Sequence, residues 1–155
     1  MMQTQFRLAG QADMALVLEL MREFYEYESR EFSFTSTLNE GVARAALAQL
    51  FANPSLGRVW LIGHEKEAIG YVALTFCFSL EFGGPAAVVD ELYVRESHRG
   101  RGVGMKTLQF VEDFCRSQGI RMLALEVDRA NMVAQKLYAK AGYEDRNNYL
   151  LTRRL

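Results

Sequence analysis

The sequence of 155 residues contains little proline, cysteine or histidine and no long hydrophobic run. The two prolines, Pro54 and Pro85, lie in turn-like surroundings, and no repeat or low-complexity tract marks a linker. Since a domain commonly has about 150 residues, we predict that residues 1–155 form a single domain. Half of the residues are hydrophobic and 24% are charged, as in a globular protein with a true core.

The few cysteines and histidines exclude several classes of site. Cys77 and Cys115 are far apart in sequence, lie in apolar surroundings and form no CxxC pair, so we predict two reduced core thiols. His64 and His98 are single and lack the close spacing of paired metal ligands. We therefore predict that the protein holds no metal.

The sequence also lacks a membrane segment and an excess of one charge. No apolar run approaches the roughly 20 residues that span a bilayer, and residues 1–5 lack the basic and then apolar pattern of a signal peptide. We expect a cytoplasmic protein without a membrane partner. The 18 Lys and Arg residues are balanced by 19 Asp and Glu residues, which argues against a nucleic-acid partner and leaves room only for a local basic site.

Hydrophobic periodicity predicts an α/β protein with a mixed sheet flanked by helices. Predicted strands cover residues 5–9, 58–64, 68–80, 88–94, 122–127 and 148–153. Predicted helices cover residues 12–28 and 38–52, the segment from a glycine-rich turn to Gly119, and a segment ended by Gly142. Asp13 is placed to cap the start of the first helix. The strand, helix, strand unit over 88–127 places the glycine-rich turn at the carboxyl end of its first strand, where open α/β sheets bind ligands.

The glycine-rich turn over residues 99–104, RGRGVG, has the features of an anion site. Glycine lets the backbone approach a phosphate closely, the first amides of a helix lack partners within it, and Arg99 and Arg101 add positive charge. A diphosphate is the expected guest. Met105 stands where a Walker A loop and a dinucleotide fingerprint each need glycine, so neither is present. The competing interpretation is a turn with solvated arginines.

Two motifs in this part of the chain resemble signatures of the GNAT N-acetyltransferases. The first, Arg99-x-x-Gly102-x-Gly104, resembles the family's acetyl-CoA signature. The second lies about 30 residues later and is the run NxxAxxLYxxxGY over residues 131–143. Residues 7–13 also resemble the family's first strand and helix, so the likeness covers nearly the whole chain.

The resemblance implies a central, mixed and mostly antiparallel sheet of six to seven strands flanked by four helices, with its fourth and fifth strands splayed. It implies acetyl-CoA as cosubstrate, with pantetheine along the splayed strand, the pyrophosphate on residues 99–104 and Asn131 in the pantetheine channel. The basic residues at 95–101 are then accounted for by the phosphates of the cofactor. The implied cofactor-binding residues are Leu92, Tyr93, Val94, Arg99, Gly100, Arg101, Gly102, Val103, Gly104, Asn131, Ala134 and Tyr138.

The implied reaction is direct transfer of an acetyl group to a primary amine. A lysine-like amine arrives as ammonium with a pKa of about 10, so a proton must leave before attack, and Asp90 and Glu91 are the candidate bases. If the strand is regular, these neighbours face opposite sides of the sheet, and Asp90 is our first choice for the reaction centre. Tyr138 is implied to stand near the cofactor sulfur and to act as general acid.

The acceptor is predicted from a partial resemblance. Tyr27, Glu28 and Asp90 resemble substrate-binding residues of the spermidine/spermine and thialysine acetyltransferase branch, which favours a small amine of the polyamine or diamine type. A solvated helix face is the competing interpretation for Glu26 and Glu28.

Two other functions stay open, together with the oligomeric state. One is an acetyltransferase of a bulkier acceptor, an aminoglycoside or a protein amine, with a groove lined by Phe32, Phe34, Phe76 and Phe78. The other is a non-catalytic acyl-CoA-binding module. The resemblance also implies a homodimer, which the apolar segment at 148–153 could serve.

Overall fold

The computed structural model describes residues 3–32 and 37–155. Within these ranges one sheet has five strands in the order β1, β2, β3, β4, β5, with the first four antiparallel and β5 parallel to β4. The strands are β1 (Gln5–Leu8), β2 (Gly57–His64), β3 (Glu67–Ser79), β4 (Gly84–Val94) and β5 (Met122–Leu125). The helices are α1 (Met14–Phe32), α2 (Glu40–Ala52), α3 (Val103–Ser117) and α4 (Met132–Lys140).

The predicted mixed sheet with four helices is confirmed, but the predicted strand count is wrong. Five strands, not six to seven, occur in residues 3–32 and 37–155, and residues 148–153 form no strand. A strand exists only when its backbone pairs with a neighbour, and an apolar segment does not provide that neighbour. None of the helices in the described ranges has the length and apolar character needed to cross a membrane.

The helix starts follow from local capping. The carboxylate of Asp13 accepts from the Gly10 amide at 3.0 Å and from Arg7 at 2.7 Å, which closes a 3-10 turn directly before α1. The Asn39 side chain accepts from the Val42 amide at 3.1 Å and caps α2. Asp13 was predicted as a cap, and α1 continues four residues past its predicted end at 28.

The core lies on both faces of the sheet. On one face, α1 and α2 pack against Val59, Leu61, Tyr71, Ala73 and Tyr93. On the other face, α3 packs through Val111 and Cys115 against Trp60, Val72, Leu74, Ala87 and Val89. These two layers hold β2, β3 and β4 between them and so position the carboxyl end of β4.

A bulge at Asp90 changes the facing of β4. Ala73 pairs with Glu91 and Leu74 with Val89, so Asp90 is the extra residue. Val89 consequently faces α3, whereas Glu91 faces the α1 side. The regular alternation from which we expected Asp90 and Glu91 to face opposite sides of the sheet is therefore interrupted.

The two cysteines differ in exposure. Cys115 is buried, as predicted, and burial raises its pKa to about 11. Cys77 is exposed, so its prediction as a core thiol is wrong. It lies near the far end of β3, where the strand runs past the helices that cover its centre.

Candidate active site

The glycine-rich turn leads from β4 into α3 with two glycines in the left-handed region. Gly100 has φ +72° and Gly102 has φ +79°, and a Cβ atom at either position would meet nothing within 4 Å. Glycine is needed here for its conformation, since L side chains rarely adopt these angles.

The amino end of α3 is suited to an anion. The Lys106 amide donates to the Gly102 carbonyl at 3.1 Å, so the amides of residues 103–105 precede the first bond of the helix and have no partner within it. No acidic residue lies in the first turn, and Arg101 is exposed beside it. Backbone donors, the helix dipole and positive charge therefore favour a phosphate at this point.

Gly104 has a different role, because α4 packs directly on it. A Cβ atom at 104 would lie 2.9 Å from Leu137 Cδ2. A side chain there would force the Leu137 side chain, on the helix that carries Tyr138, to move. Gly104 therefore allows the close contact between the glycine-rich turn and α4.

The strands β4 and β5 separate beside this turn. Their pairing ends at Val89 and Leu125, and in the described chain residues 92–94 have no strand on that side. The predicted splay is confirmed. It leaves a cleft along the strand, at one end of which the Val94 carbonyl accepts from Arg99 Nε at 2.7 Å.

Arg99 connects the glycine-rich turn to α1. Its guanidinium carbon lies 3.8 Å from the centroid of the Tyr27 ring and 5.5 Å from that of Tyr93. Both are cation–π distances, and Nε is bonded to the strand. The guanidinium is thus held against Tyr27, a predicted acceptor residue, and against Tyr93, and its predicted contact with a pyrophosphate stays a prediction.

The second motif forms α4. The Asn131 side chain accepts from the Ala134 amide at 3.0 Å and caps the helix, a local role beside the channel role that the resemblance implies. Tyr138 is half-buried, and burial together with the negative charge of Glu28 raises its pKa. Tyr138 is therefore protonated at neutral pH and able to donate a proton.

Glu28 belongs to the same neighbourhood. Burial and the charge of Asp128 raise its pKa, while Arg99 opposes that rise. The structure thus brings together α1, the turn after β5 and α4, around Glu28, Asp128 and Tyr138. Of the two glutamates that could lie on a solvated helix face, Glu26 is exposed and fits that interpretation, whereas Glu28 is half-buried and does not.

Glu91 is half-buried between two tyrosines. Tyr71 donates its hydroxyl to Glu91 Oε2 at 2.7 Å, and Tyr25 donates to Oε1 at 3.3 Å. Burial raises the pKa of Glu91, as does the charge of Asp90. The partners lie 20 and 66 residues away in sequence, so no local pattern could have found them.

Asp90 keeps its side chain exposed at the bulge, although the surrounding protein raises its pKa. Burial and then the charge of Glu91 raise the pKa of Tyr25 to about 12 and that of Tyr71 above its usual range, and the charge of Asp90 adds a smaller part to both shifts. Asp90 and Glu91 consequently share one neighbourhood, with Asp90 nearer to solvent.

Arg95 forms ion pairs with glutamates, two of them on α1, and so is not available for a phosphate. This corrects the prediction that all basic residues at 95–101 serve the phosphates of the cofactor. Its guanidinium lies 2.7 Å from Glu23, 2.8 Å from Glu19 and 3.1 Å from Glu67. These carboxylates account for its charge and tie the end of β4 to α1.

The predicted groove of four phenylalanines is not formed by the three that the structure describes. Phe32 packs against Tyr27 at the end of α1, with ring centroids 5.7 Å apart. Phe76 stacks on Phe114 at the opposite end of the sheet, and Phe78 is exposed two residues further. Phe34 lies outside the described residues.

A cleft of about 550 Å³ opens beside the carboxyl-terminal half of α1. Its lining residues come from α1 and from the segment that enters α2, namely Arg22, Tyr25, Glu26, Ser29, Arg30, Thr37, Leu38 and Glu40. Tyr25 lines this cleft and also donates a hydrogen bond to Glu91, so the cleft adjoins Glu91 and Asp90.

The two histidines meet in space although they are far apart in sequence. The ring centroids of His64 and His98 are 6.1 Å apart. Among the described residues no group of three His, Cys, Asp or Glu side chains is arranged to hold a metal ion.

The family model described as Acetyltransferase (GNAT) family matches residues 16–143. The chain belongs to this family. The glycine-rich turn, the splayed strands and α4 are thus parts of a GNAT acetyltransferase, and the enzyme is an N-acetyltransferase.

Relatives of the GNAT chain act on different amines. Thialysine N-epsilon-acetyltransferase of Bos taurus is 26% identical over 153 residues, which cover 90% of this chain and 83% of that protein. The L-methionine sulfoximine/L-methionine sulfone acetyltransferase of Pseudomonas paraeruginosa is 26% identical over 147 residues, 92% of this chain and 81% of that protein.

A solved structure shows the same fold. The predicted acetyltransferase with acetyl-CoA from Clostridium acetobutylicum has a TM-score of 0.81 at 16% identity, and the match covers 97% of this chain and 96% of that one. The fold class predicted from the sequence is thereby confirmed.

Proposed function

We propose that this N-acetyltransferase moves the acetyl group of acetyl-CoA to a primary amine of a small cationic acceptor, of the polyamine or diamine type. The acidic neighbourhood of Tyr138 carries the proposal. Glu28 is half-buried, and Asp128 lies close enough to raise its pKa. A cation would relieve the cost of two carboxylates held close together. Tyr27, Glu28 and Asp90 are the proposed acceptor contacts.

The cofactor would lie across the carboxyl end of β4. The pyrophosphate would bind the amides of residues 100–104, with Arg101 adding charge. Pantetheine would run along residues 92–94 in the cleft that the splay opens, past Asn131 and Ala134 on α4. The support for this placement is the match between backbone donors without partners and an anionic, extended ligand.

Asp90 would take the proton of the ammonium group. Its side chain is exposed and its pKa is raised, so it can meet an incoming amine and hold a proton more tightly than an ordinary aspartate. Glu91 would support it by adding negative charge nearby, while Tyr25 and Tyr71 hold the Glu91 carboxylate in place.

The neutral amine would then attack the thioester carbon. A backbone amide of the splayed strand would stabilise the oxyanion by about 3 kcal/mol. As the C–S bond breaks, the nitrogen would lose its second proton to solvent. Tyr138 would give its proton to the departing thiolate and recover one from solvent. Since a thiol with a pKa of about 8.5 is a fair leaving group, Tyr138 assists the step without being indispensable.

The test is release of CoA thiol from acetyl-CoA against spermidine, small diamines, thialysine, aminoglycosides, single amino acids and a peptide. We expect signal from polyamines or diamines, with kcat/KM reduced about a hundredfold in Asp90→Asn. Asp113→Asn, which changes an exposed aspartate on α3, is the matched control and should keep the wild-type rate.

Other outcomes would point to the two alternative functions. Activity with aminoglycosides or the peptide alone would favour the bulkier acceptor. Tight acetyl-CoA binding with no thiol release from any acceptor would favour a non-catalytic acyl-CoA-binding module. Activity with single amino acids alone would also contradict the polyamine or diamine proposal.

Several expectations go with this proposal and remain predictions. They are a single domain over residues 1–155, a cytoplasmic location, a homodimer, and the absence of metal, nucleic-acid and membrane partners.

A further inference from the structure

A cleft of about 340 Å³, here called the Arg58 cleft, lies at the end of the sheet opposite the glycine-rich turn. Its lining includes Arg58 at the start of β2, Phe76 and Ala86 on β3 and β4, and Phe114 and Gln118 near the end of α3. α3 has 15 residues and is about 22 Å long, and the glycine-rich turn lies at its other end. A ligand in the Arg58 cleft would therefore not touch one that is bound at the turn.

Two phenylalanine rings give the cleft flat apolar walls. The rings of Phe76 and Phe114 stack with their centroids 6.4 Å apart and their planes 22° apart. Both side chains are half-buried and line the cleft, so part of each ring stays open to it. A flat apolar group in the cleft would remove this ring surface from water.

Arg58 places a guanidinium group beside these rings. Its carbon Cζ lies 5.8 Å from the centroid of the Phe76 ring. Nη1 donates to the carbonyl of Gly57 at 2.9 Å and to that of Pro54. Among the described residues, Nε and Nη2 have no hydrogen-bond or ion-pair partner. An arginine edge with two free donors can bind a carboxylate through two parallel hydrogen bonds.

The cleft also carries positive charge without a counterion. None of the described residues that line it is acidic, and no carboxylate within residues 3–32 and 37–155 pairs with Arg58. By contrast, Arg22 pairs with Glu40 at 3.0 Å. Arg121 follows the lining residue Ile120, is exposed and has no ion-pair partner in the same ranges. An unpaired guanidinium against aromatic rings favours an anion with a flat apolar body.

We propose that the Arg58 cleft binds a small aromatic carboxylate. The carboxylate would accept from Nε and Nη2 of Arg58, and the ring would pack against Phe76 and Phe114. Both parts of the ligand are needed, because an inorganic anion would leave the phenylalanine rings open to water and an aromatic amine would bring like charge to Arg58. The proposal does not depend on which amine is acetylated, because the cleft and the glycine-rich turn lie at opposite ends of α3.

The first test is titration of the isotope-labelled full chain with benzoate, followed by the amide chemical shifts in NMR spectra. We expect saturable binding with a Kd of about 1 mM, as suits a ligand of this size, and the largest shifts at residues 54–58 and 114–121. Benzyl alcohol, which lacks the charge, and acetate, which lacks the ring, should each bind at least about tenfold more weakly. Shifts that do not saturate by about 20 mM would overturn the proposal. So would shifts centred on residues 99–104, which would assign the anion to the glycine-rich turn.

The second test changes the charge of the cleft. Gln118→Lys and Gln118→Glu give one exposed lining residue opposite charges, so benzoate should bind about threefold more tightly to the first and about fivefold more weakly to the second. Arg58→Met should weaken binding at least about tenfold. Arg44→Met, at an exposed arginine of α2, is the matched control and should keep the wild-type Kd.

Circular dichroism checks that each variant is folded, and the two Gln118 variants decide the question if Arg58→Met is not. Equal benzoate affinity of these two variants would overturn the proposal. The same conclusion would follow from a folded Arg58→Met variant that binds benzoate as tightly as the wild type does.

Discussion

The centre of the sheet and its β5 side are packed very differently. α1 and α3, which cover β2, β3 and β4, each bury five residues, whereas none of the nine described residues of α4 is buried. The residues predicted for the acceptor, Tyr27, Glu28 and Asp90, lie on or beside the dense part. Tyr138 lies on the loose part. The proposed acceptor residues are thus held by the core, and the position of Tyr138, the proposed general acid, depends on a few contacts, such as that between Gly104 and Leu137.

Substitution of Tyr138 should have the largest effect on the loose side. Tyr138→Phe keeps the ring and removes only the acidic proton, so we expect kcat to fall about a hundredfold, at the lower end of general acid catalysis. The Kd for acetyl-CoA should change less than about twofold. Stopped-flow thiol release and calorimetric binding measure the two quantities separately. An unchanged kcat would exclude the proposed acid role.

Gly104→Val tests the contact that positions α4. Overpacking against Leu137 should lower the free energy of unfolding by about 2 kcal/mol, and the accompanying shift of Leu137 and α4 should weaken acetyl-CoA binding. Gly10→Ala is the control, because a Cβ atom at Gly10 meets nothing within 4 Å and Gly10 has no positive φ. If the valine variant binds acetyl-CoA as tightly as the control does, the spacing of α3 and α4 does not shape the cofactor site.

Arg99→Met and Arg101→Met distinguish binding of the acceptor from binding of acetyl-CoA. Loss of the contact between Arg99 and Tyr27 should cost about 1 kcal/mol and raise the KM for the acceptor about fivefold. Arg101 is exposed and should affect only acetyl-CoA binding. Steady-state kinetics with each substrate varied in turn measures both. The reverse pattern, with Arg99 affecting only the cofactor, would contradict the link to α1.

Glu91→Gln should give the smallest effect, one that depends on pH. Because burial raises the pKa of Glu91 above 4.5, the folded protein holds this proton more tightly than the unfolded chain. The contribution of Glu91 to stability is therefore greatest below its unfolded pKa and is lost as the pH rises through the raised value. We expect the Tm of Glu91→Gln to rise relative to that of the wild type as the pH increases from 4.5 through the raised pKa of Glu91.

Thermal unfolding at several pH values measures this difference. Glu144→Gln, at an exposed carboxyl group, is the control and should follow the wild type at every pH. A Tm of Glu91→Gln that falls relative to that of the wild type as the pH rises would show that the tyrosine hydrogen bonds outweigh burial.

Sequence reasoning succeeded where the relevant geometry is local. The glycine-rich turn was predicted to open a helix, and α3 begins there, directly after two glycines with positive φ angles. The same holds for Asp13, whose capping partner lies three residues away. Sequence reasoning failed for Arg95, which was predicted to serve the phosphates of the cofactor, because Glu19 and Glu23 contact it from a helix distant in sequence.

The direction of the side chains along β4 is a second feature that sequence reasoning did not predict correctly. Alternation along a regular strand places Asp90 and Glu91 on opposite sides. One extra residue at Asp90 shifts the register, and Glu91 then meets Tyr25 and Tyr71. A bulge arises from the pairing of two strands, so a single strand read alone does not reveal it.

By itself, the sequence determined the mixed sheet with its helices, the glycine-rich turn and the family, because each depends on periodicity or on motifs of adjacent residues. Only the tertiary structure decided that Glu91 turns inward, that Arg99 lies on Tyr27, and that residues 148–153 remain unpaired. These features depend on contacts between segments far apart in the chain. Such contacts form only when packing brings the segments together, and no local pattern encodes them.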